Sequence, residues 1–217
     1  MNFRTILKGA TVFFVAVAIV CSWLTDLYAG EPAPSWIRAG ALAVVAVRSS
    51  GTAGSLEQCP SRSDKGTGHL SLTNRTRSIR YTRNGSGMII DRRGIIVTNY
   101  HIVNKATAIS VTLSDGTSLR AQLMGVLPEN DLAFLSIVVP FALQPVAFAD
   151  SDRISRGMQV YAIGRSLWHK DTCFFGKITG VMVGRLRRGL HIALMQACFG
   201  TEFYLGDSGS PVFDRKG

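Results

Sequence analysis

The stretch from Gly206 to Pro211, with the sequence Gly-Asp-Ser-Gly-Ser-Pro, constrains the fold of this 217-residue chain more than any other. Ser208 lies between glycines, which let the backbone turn sharply without a Cβ, so its hydroxyl can project from a tight corner. The neighbouring backbone N–H groups can then bind a developing negative charge. Because glycine-serine turns are also common in ordinary loops, the stretch predicts a nucleophile only if a base and an acid accompany it.

A histidine and an aspartate stand at the ends of two apolar segments upstream. The segment Ile95–Thr98 leads to His101, and Asp131 opens the segment Leu132–Leu135. The order along the chain is therefore His, Asp, Ser, and the intervals are long enough that the three residues can meet only through the fold. In a Ser-His-Asp triad the histidine takes the serine proton, and the aspartate holds the imidazole in the correct tautomer.

Four motifs resemble the HtrA/DegP branch of the trypsin-like serine proteases. They are Gly85–Asp91 with Gly94–Val103, then Asn130–Ala133, Tyr161–Gly164 and Gly206–Pro211. The resemblance extends from about residue 40 to the end of the chain. It implies an all-β, two-barrel chymotrypsin-type fold with the site in the cleft between the barrels.

The resemblance also assigns roles to residues. It implies that His101 is the general base, Asp131 the orienting carboxylate and Ser208 the nucleophile. The backbone N–H groups of Gly206 and Ser208 would form the oxyanion hole. Glu202 stands shortly before Ser208, where trypsin-like enzymes place the base of the S1 pocket; whether it binds a basic P1 side chain or lies in a loop stays open. No cofactor or metal is implied.

Several positions depart from the family pattern. Residues 165–170 replace the usual Asn-Pro-Phe-Gly type of turn, and the segment before the serine motif is longer than in the family. Asp207 stands where the family normally has Asn, and Ser210 where it has Gly. We therefore expect the S1 pocket and the loop of the oxyanion hole to differ from the family.

The strand pattern divides the chain into a first barrel at about 40–140 and a second at about 146–217. Apolar residues from Ala41 to Val47 predict the first strand, and Asp91–Gly94 and Ser114–Thr117 predict hairpin turns. Few residues follow Ser208, so we expect the second barrel to be incomplete in this chain. We expect no PDZ-type domain of the kind that the family commonly carries.

Residues 1–29 have the pattern of an export signal. Arg4 and Lys8 precede the apolar stretch Ala10–Leu24, and Ala29 ends a passable cleavage motif. The apolar stretch is short for a full membrane span of roughly 20 residues, but Leu27 is bulky for a cleavage site. A cleaved signal peptide and an uncleaved membrane anchor both stay open, and both direct the rest of the chain to the periplasm or cell envelope.

Polar residues from about 49 to 84 show no hydrophobic period and predict one long loop. Its basic side chains outnumber its acidic ones, so it is either a solvated loop or a contact for anionic lipid or a partner. The whole chain has a formal net charge of +10, yet it has no basic and aromatic module of a nucleic-acid-binding protein, and we predict no nucleic-acid partner.

Three cysteines follow the leader: Cys59, Cys173 and Cys198. An odd number in an oxidising compartment leaves their pairing open, and a bridge between Cys173 and Cys198 within the second barrel is one alternative. No cysteine or histidine cluster has the spacing of a zinc site.

Two functional classes remain open. The first, implied by the resemblance, is an envelope serine endopeptidase that cleaves unfolded or exposed protein segments and assembles as a homo-oligomer, which the family resemblance implies is a trimer. The second is a truncated, weakly active or inactive protease-like module that binds a partner or the membrane.

Overall fold

A computed structural model describes residues 35–62, 70–165, 172–185, 191–199 and 206–214. Helix α1 (Ser35–Leu42) comes first. The first sheet and its connections then comprise β1 (Val44–Arg62), β2 (Leu70–Asp91), β3 (Ile95–Asn99), the short helix α2 (Tyr100–Val103), β4 (Ala108–Thr112), β5 (Ser118–Arg120), β6 (Gln122–Leu127) and β7 (Leu132–Ser136). The second sheet comprises β8 (Gln159–Gly164), β9 (Thr172–Arg185), β10 (His191–Phe199) and β11 (Val212–Phe213).

The first sheet curls into a barrel. Its strand order is β5-β4-β1-β2-β3-β7-β6, with every pair antiparallel. The two outermost strands, β5 and β6, are consecutive in the chain and separated only by Ala121, whose N–H donates to the Ile109 carbonyl at 2.9 Å. One bent strand thus joins both edges of the sheet. The alternate residues of its strands point inward and form the core, which includes Val45, Val47, Ile89, Ile96, Ile109, Val111, Ala133 and Leu135.

The second sheet has the order β10-β9-β8-β11 among the described residues. Its core is smaller and consists of Val160, Ala162, Phe174 and Ile178. The predicted all-β fold is confirmed, with a first barrel and a partly formed second one. The hairpin turns predicted at Asp91–Gly94 and Ser114–Thr117 are present, joining β2 to β3 and β4 to β5.

The prediction of one long loop from about 49 to 84 was wrong. Strands β1 and β2 form a continuous antiparallel ribbon from the pair Val44 and Met88 to the pair Arg62 and Leu70. Such a ribbon pairs the backbone donors and acceptors that face the partner strand, and the outward-facing groups can bind water. The sequence of the ribbon does not alternate between polar and apolar residues, so the usual strand signal is missing.

Helix α1 was also not predicted, and the first strand begins at Val44 rather than at Ala41. The helix packs Ile37 against Val44, Ile163 and Phe213 in a cluster that joins the two sheets. Gly40 lies against the Phe213 ring, where a Cβ would stand 3.2 Å from Cε1. This packing favours a helix in a segment that is not strongly helical by composition. The predicted leader, residues 1–29, lies outside the described residues, and no helix within the described ranges is long and apolar enough to cross a membrane.

The bridge between Cys173 and Cys198 is not formed, because Cys173 is a free thiol. In the pairing of β9 with β10, Cys198 stands opposite Lys177, four positions along β9 from Cys173. At about 3.3 Å per residue the two cysteines are about 13 Å apart along the sheet, well beyond the roughly 7 Å limit between Cα atoms in a disulfide. Burial raises the pKa of the Cys173 thiol to about 11.

We expect Gly94→Ala to destabilise the protein more than Gly116→Ala. Both glycines have positive φ, +96° and +90°, so each alanine bears a conformational cost of about 1 kcal/mol. A Cβ at Gly94 would also lie 2.4 Å from the Ile137 carbonyl oxygen, whereas one at Gly116 has nothing within 4 Å. Urea unfolding should give losses of about 3 and about 1 kcal/mol. Equal losses would contradict a close contact at Gly94.

We expect iodoacetamide to modify Cys173 about tenfold more slowly in the folded protein at pH 8 than in the urea-unfolded chain. A pKa raised from 9.0 to about 11 leaves roughly a hundredfold less thiolate, and the greater nucleophilicity of a more basic thiolate restores part of the rate. The measurement is mass spectrometry of the peptide that contains Cys173. Equal rates in the two states would show that the thiol is not held in its neutral form.

Candidate active site

His101 is presented by the junction of β3 and α2. The central strand β3 pairs with β2 on one side and β7 on the other, and its first four residues are buried. Helix α2 follows directly and turns Ile102 and Val103 into the core of the first barrel, while His101 faces solvent. A buried strand and one helical turn thus hold the imidazole at the surface on a rigid base.

Asp131 adopts an uncommon backbone conformation immediately before β7. Its φ of 53° and ψ of 42° lie in the left-handed region, which aspartate tolerates better than most residues. The carbonyl of Asp131 accepts from the Tyr100 N–H at 2.9 Å and from the Asn99 side-chain amide at 3.1 Å. These bonds tie Asp131 to the end of β3 and to the start of α2, so its position relative to His101 is fixed by backbone as well as by side chain.

The Asp131 carboxylate binds His101 with both oxygens. Oδ1 accepts from the His101 backbone N–H at 2.7 Å, and Oδ2 lies 2.6 Å from the imidazole Nδ1. Both side chains are about half exposed. A carboxylate at Nδ1 favours the tautomer with the proton on that nitrogen, which leaves the Nε2 lone pair available. The arrangement therefore suits His101 to accept a proton through Nε2.

Ser208 lies in a tight turn between β10 and β11. Gly206 and Gly209 have positive φ values of 113° and 88°, which glycine adopts without strain. Ser208 is exposed, while Gly206 and Asp207 are buried. The Asp207 side chain lies against Gly164, where a Cβ would be 2.5 Å from Oδ1. The turn thus exposes the serine and buries the residues before it.

Gly85 shows how closely the serine turn approaches the helix that bears His101. A Cβ at Gly85 would lie 2.1 Å from Cδ1 of Ile102 and 3.0 Å from the Ser208 carbonyl oxygen. The residue after His101 and the predicted nucleophile therefore flank one glycine of β2. The structure brings His101, Asp131, Ser208 and Gly206 to this region, while Glu202 lies outside the described residues.

Ser86, which we did not single out from the sequence, makes two hydrogen bonds between the first barrel and the serine turn. Its N–H donates to the Ser208 carbonyl at 2.7 Å, and its hydroxyl donates to the Gly206 carbonyl at 3.0 Å. The available signal was its place between two glycines in the Gly85–Asp91 motif, because its partners in the serine turn, Gly206 and Ser208, lie more than a hundred residues away in the sequence.

A second set of contacts that the sequence did not indicate fixes the end of α2. The carbonyl of Asn104 accepts from the Arg83 guanidinium at 2.7 Å and from the Tyr81 hydroxyl at 3.1 Å. The Arg83 guanidinium also lies 4.3 Å from the centre of the Tyr81 ring, a cation–π distance. The Asn104 side chain in turn accepts from the Tyr100 hydroxyl. The base of the β1–β2 ribbon thus holds the helix that bears His101.

Within the described residues, no three histidine, cysteine, aspartate or glutamate side chains are grouped closely enough to hold a metal ion.

We expect Arg83→Ala to lower the free energy of unfolding by about 2 kcal/mol, because a partly buried carbonyl would lose a charged hydrogen-bond donor. Arg80→Ala is the matched control on the same strand, since Arg80 is exposed, and its effect should stay within about 0.5 kcal/mol. Urea unfolding of both variants gives the comparison. A loss at Arg83 no larger than that at Arg80 would show that the Asn104 contact contributes little.

Comparison with known proteins gives consistent results. The family of the trypsin-like peptidase domain matches residues 85–217. Protease Do-like 1, chloroplastic, of Arabidopsis thaliana is 34% identical over 140 residues, covering 61% of this chain and 31% of the relative. The periplasmic pH-dependent serine endoprotease DegQ of Escherichia coli (strain K12) is 32% identical over 136 residues, covering 61% of this chain and 29% of the relative. The chain thus aligns with about a third of the length of these relatives.

Solved structures agree with the sequence relatives. The HtrA-type protease AlgW with a tripeptide superposes with a TM-score of 0.58 at 26% identity, covering 84% of this chain and 52% of that one. A variant of AlgW with a decapeptide gives a TM-score of 0.65 at 25% identity, covering 84% and 56%. The predicted resemblance to HtrA and DegP proteases is confirmed, as is the chymotrypsin-type fold. The chain belongs to the trypsin-like peptidase family.

Proposed function

We propose that this protein is a serine endopeptidase of the HtrA type, with His101, Asp131 and Ser208 as its catalytic triad. The proposal depends above all on the two bonds between His101 and the Asp131 carboxylate. A carboxylate that binds both the backbone N–H and Nδ1 of one histidine orients the ring in two directions at once. Such an arrangement is expected of a general base and its orienting acid, and a surface ion pair does not require it.

In this mechanism the Ser208 hydroxyl attacks the carbonyl carbon of a peptide bond. The Nε2 of His101 accepts the hydroxyl proton as the new carbon–oxygen bond forms, and Asp131 stabilises the resulting imidazolium. His101 then gives the proton to the leaving amine, so that the peptide bond breaks and an acyl-enzyme remains. Water, activated by the same histidine, hydrolyses the acyl group and restores Ser208.

The negative charge that develops on the substrate oxygen would be bound by the N–H groups of Gly206 and Ser208. Two preorganised donors of this kind are each worth a factor of roughly 10² to 10³ in rate. The positive φ of Gly206 and the burial of Gly206 and Asp207 support this role, because they hold the turn in a form that a more flexible loop would not keep. The turn therefore supplies both the nucleophile and the stabilisation of its intermediate.

Protein or peptide segments are the proposed substrates, and the periplasm or cell envelope is the proposed location. AlgW has been solved with a tripeptide and with a decapeptide, and DegQ is described as a periplasmic endoprotease. An N-terminal membrane anchor, a homo-oligomeric state and a basic P1 preference set by Glu202 remain predictions. If peptides with Arg or Lys at P1 are cleaved no faster than peptides with an apolar P1 residue, the predicted basic P1 preference is wrong.

We expect the full chain to react with a fluorophosphonate probe at one site, and Ser208→Ala to abolish the reaction. Asp131→Asn should slow labelling by roughly 10³- to 10⁴-fold, because the histidine would be held in the wrong tautomer. Asp115→Asn is the matched control, since Asp115 is an exposed aspartate in the β4–β5 turn, and it should leave the rate unchanged. Intact mass gives the stoichiometry, and gel fluorescence gives the rate.

The outcomes separate the enzyme from a protease-like binding module. Labelling that depends on Ser208 and Asp131 supports the triad. A folded wild-type chain that does not label overturns the proposed activity and favours the binding module. Labelling that persists in Ser208→Ala would assign the nucleophile to another residue.

A further inference from the structure

Ser86 occupies a position that the proposed catalytic mechanism does not explain. It lies in β2 opposite Ala46 and is completely buried. Its hydroxyl has two hydrogen-bond partners, Gly206 and Arg165, both in segments that follow the first barrel. A side chain of the first barrel is thus bound to the second half of the chain at the site.

The four polar contacts of Ser86 use every group it has. Its N–H donates to the Ser208 carbonyl at 2.7 Å, and its own carbonyl accepts from the Thr98 hydroxyl at 2.7 Å. Its hydroxyl donates to the Gly206 carbonyl at 3.0 Å and accepts from the Arg165 N–H at 2.9 Å. The N–H, the carbonyl and the hydroxyl of Ser86 thus each have a hydrogen-bond partner, and two of the four bonds go to the serine turn.

The Ser208 N–H belongs to the peptide group between Asp207 and Ser208. Ser86 binds the carbonyl oxygens of the peptide groups before and after it. The Gly206 carbonyl belongs to the peptide between residues 206 and 207, and the Ser208 carbonyl to the peptide between 208 and 209. Because each peptide group is planar, a bond to its oxygen restricts the rotation of the whole plane. The peptide group between Asp207 and Ser208 lies between these two restrained peptide groups. Its N–H direction is therefore restrained as well.

The glycines around Ser86 permit this close approach of backbone to backbone. A Cβ at Gly209 would lie 2.1 Å from the Ser86 carbonyl oxygen, and one at Gly85 would lie 3.0 Å from the Ser208 carbonyl oxygen. The contacts are therefore direct. Loss of the hydroxyl would leave the Gly206 carbonyl and the Arg165 N–H without this partner in a buried setting, which costs free energy unless the backbone turns to find another.

We propose that Ser86 is a positioning residue that holds the turn from Gly206 to Ser208 in the conformation that binds the oxyanion. The proposal rests on the proposed peptidase function for its kinetic consequence. Since the oxyanion forms only along the reaction, a misdirected N–H lowers kcat and leaves KM nearly unchanged. Ser86 acts through backbone groups and does not touch the substrate.

The test compares Ser86→Ala and Val111→Ala in the full chain. Val111 is fully buried in β4 within the first core and makes none of these contacts with the serine turn, so its alanine variant reports what a loss of stability alone does. We expect Ser86→Ala to lower kcat for a fluorogenic peptide roughly 10- to 100-fold, somewhat less than loss of an oxyanion donor, with KM within about twofold. Val111→Ala should lower the unfolding temperature but keep kcat.

Two further measurements complete the test, and the second of them does not require activity. Ser86→Thr keeps the hydroxyl and should recover most of kcat. In protein labelled with ¹⁵N-glycine, the amide signals of Gly206 and Gly209 should shift in Ser86→Ala but not in Val111→Ala. Unchanged glycine signals, or a kcat for Ser86→Ala equal to that of Val111→Ala, would overturn the proposal.

The same design separates this proposal from the proposed function. If the folded wild-type chain neither labels at Ser208 nor cleaves the peptide, the peptidase function fails. The glycine signals then still decide whether Ser86 sets the conformation of the turn. If the wild type is active and Ser86→Ala has the same kcat and glycine signals, the peptidase function is supported and the positioning role of Ser86 is wrong.

Discussion

The pairing of β3 with β7 is the interaction on which the candidate site depends. In this antiparallel pair the last residue of β3, Asn99, stands opposite the first residue of β7, Leu132. The chain leaves β3 into the helix that bears His101 and enters β7 from Asp131, so the two residues are neighbours before any side chain forms a bond. The hydrogen bonds of the Asp131 carboxylate with the backbone N–H and the imidazole of His101 then orient two residues that the backbone pairing has already brought together.

The serine turn lies beside the same region for a different reason. Glycines at the points of contact have no side chain that would keep the two backbones apart. Gly85, Gly164 and Gly209 each face a contact that a Cβ would obstruct. The first two belong to strands, where glycine is otherwise unfavourable because it lacks a side chain to pack. Their cost in strand stability is offset by direct contact between the two halves of the molecule. A rigid juxtaposition of this kind is what preorganised catalysis requires.

Local signals in the sequence were sufficient for part of the fold and part of the site. The turns at Asp91–Gly94 and Ser114–Thr117 follow from their turn residues and the apolar segments on either side. The proximity of His101 and Asp131 follows from motifs at the ends of strands. The β1–β2 ribbon was missed because its sequence from about residue 49 to 84 has no hydrophobic period. Helix α1 was missed because its stabilisation comes from Phe213, at the other end of the sequence.

The contacts of Ser86 and Arg83 were out of reach for a more general reason. A hydrogen bond between a side chain and a backbone carbonyl depends on two chain segments meeting at a defined angle, and no residue pattern encodes that angle. Ser86 is an ordinary small residue in the sequence until the turn at Gly206 is placed beside it. The same holds for Arg83, which is one of several arginines in a basic segment and is distinguished only by its contact with Asn104.

The packing of α1 on β11 has a consequence for the order in which the molecule forms. Ile37 and Phe213 share one hydrophobic cluster although nearly the whole described sequence separates them. Contacts between residues so distant in sequence carry a large loop-closure entropy and form late in folding. A chain synthesised from its N-terminus can complete the first barrel well before residue 213 is made. The cluster that joins the two sheets, and with it the serine turn, therefore cannot assemble until residue 213 has been made, after the residues of the first barrel.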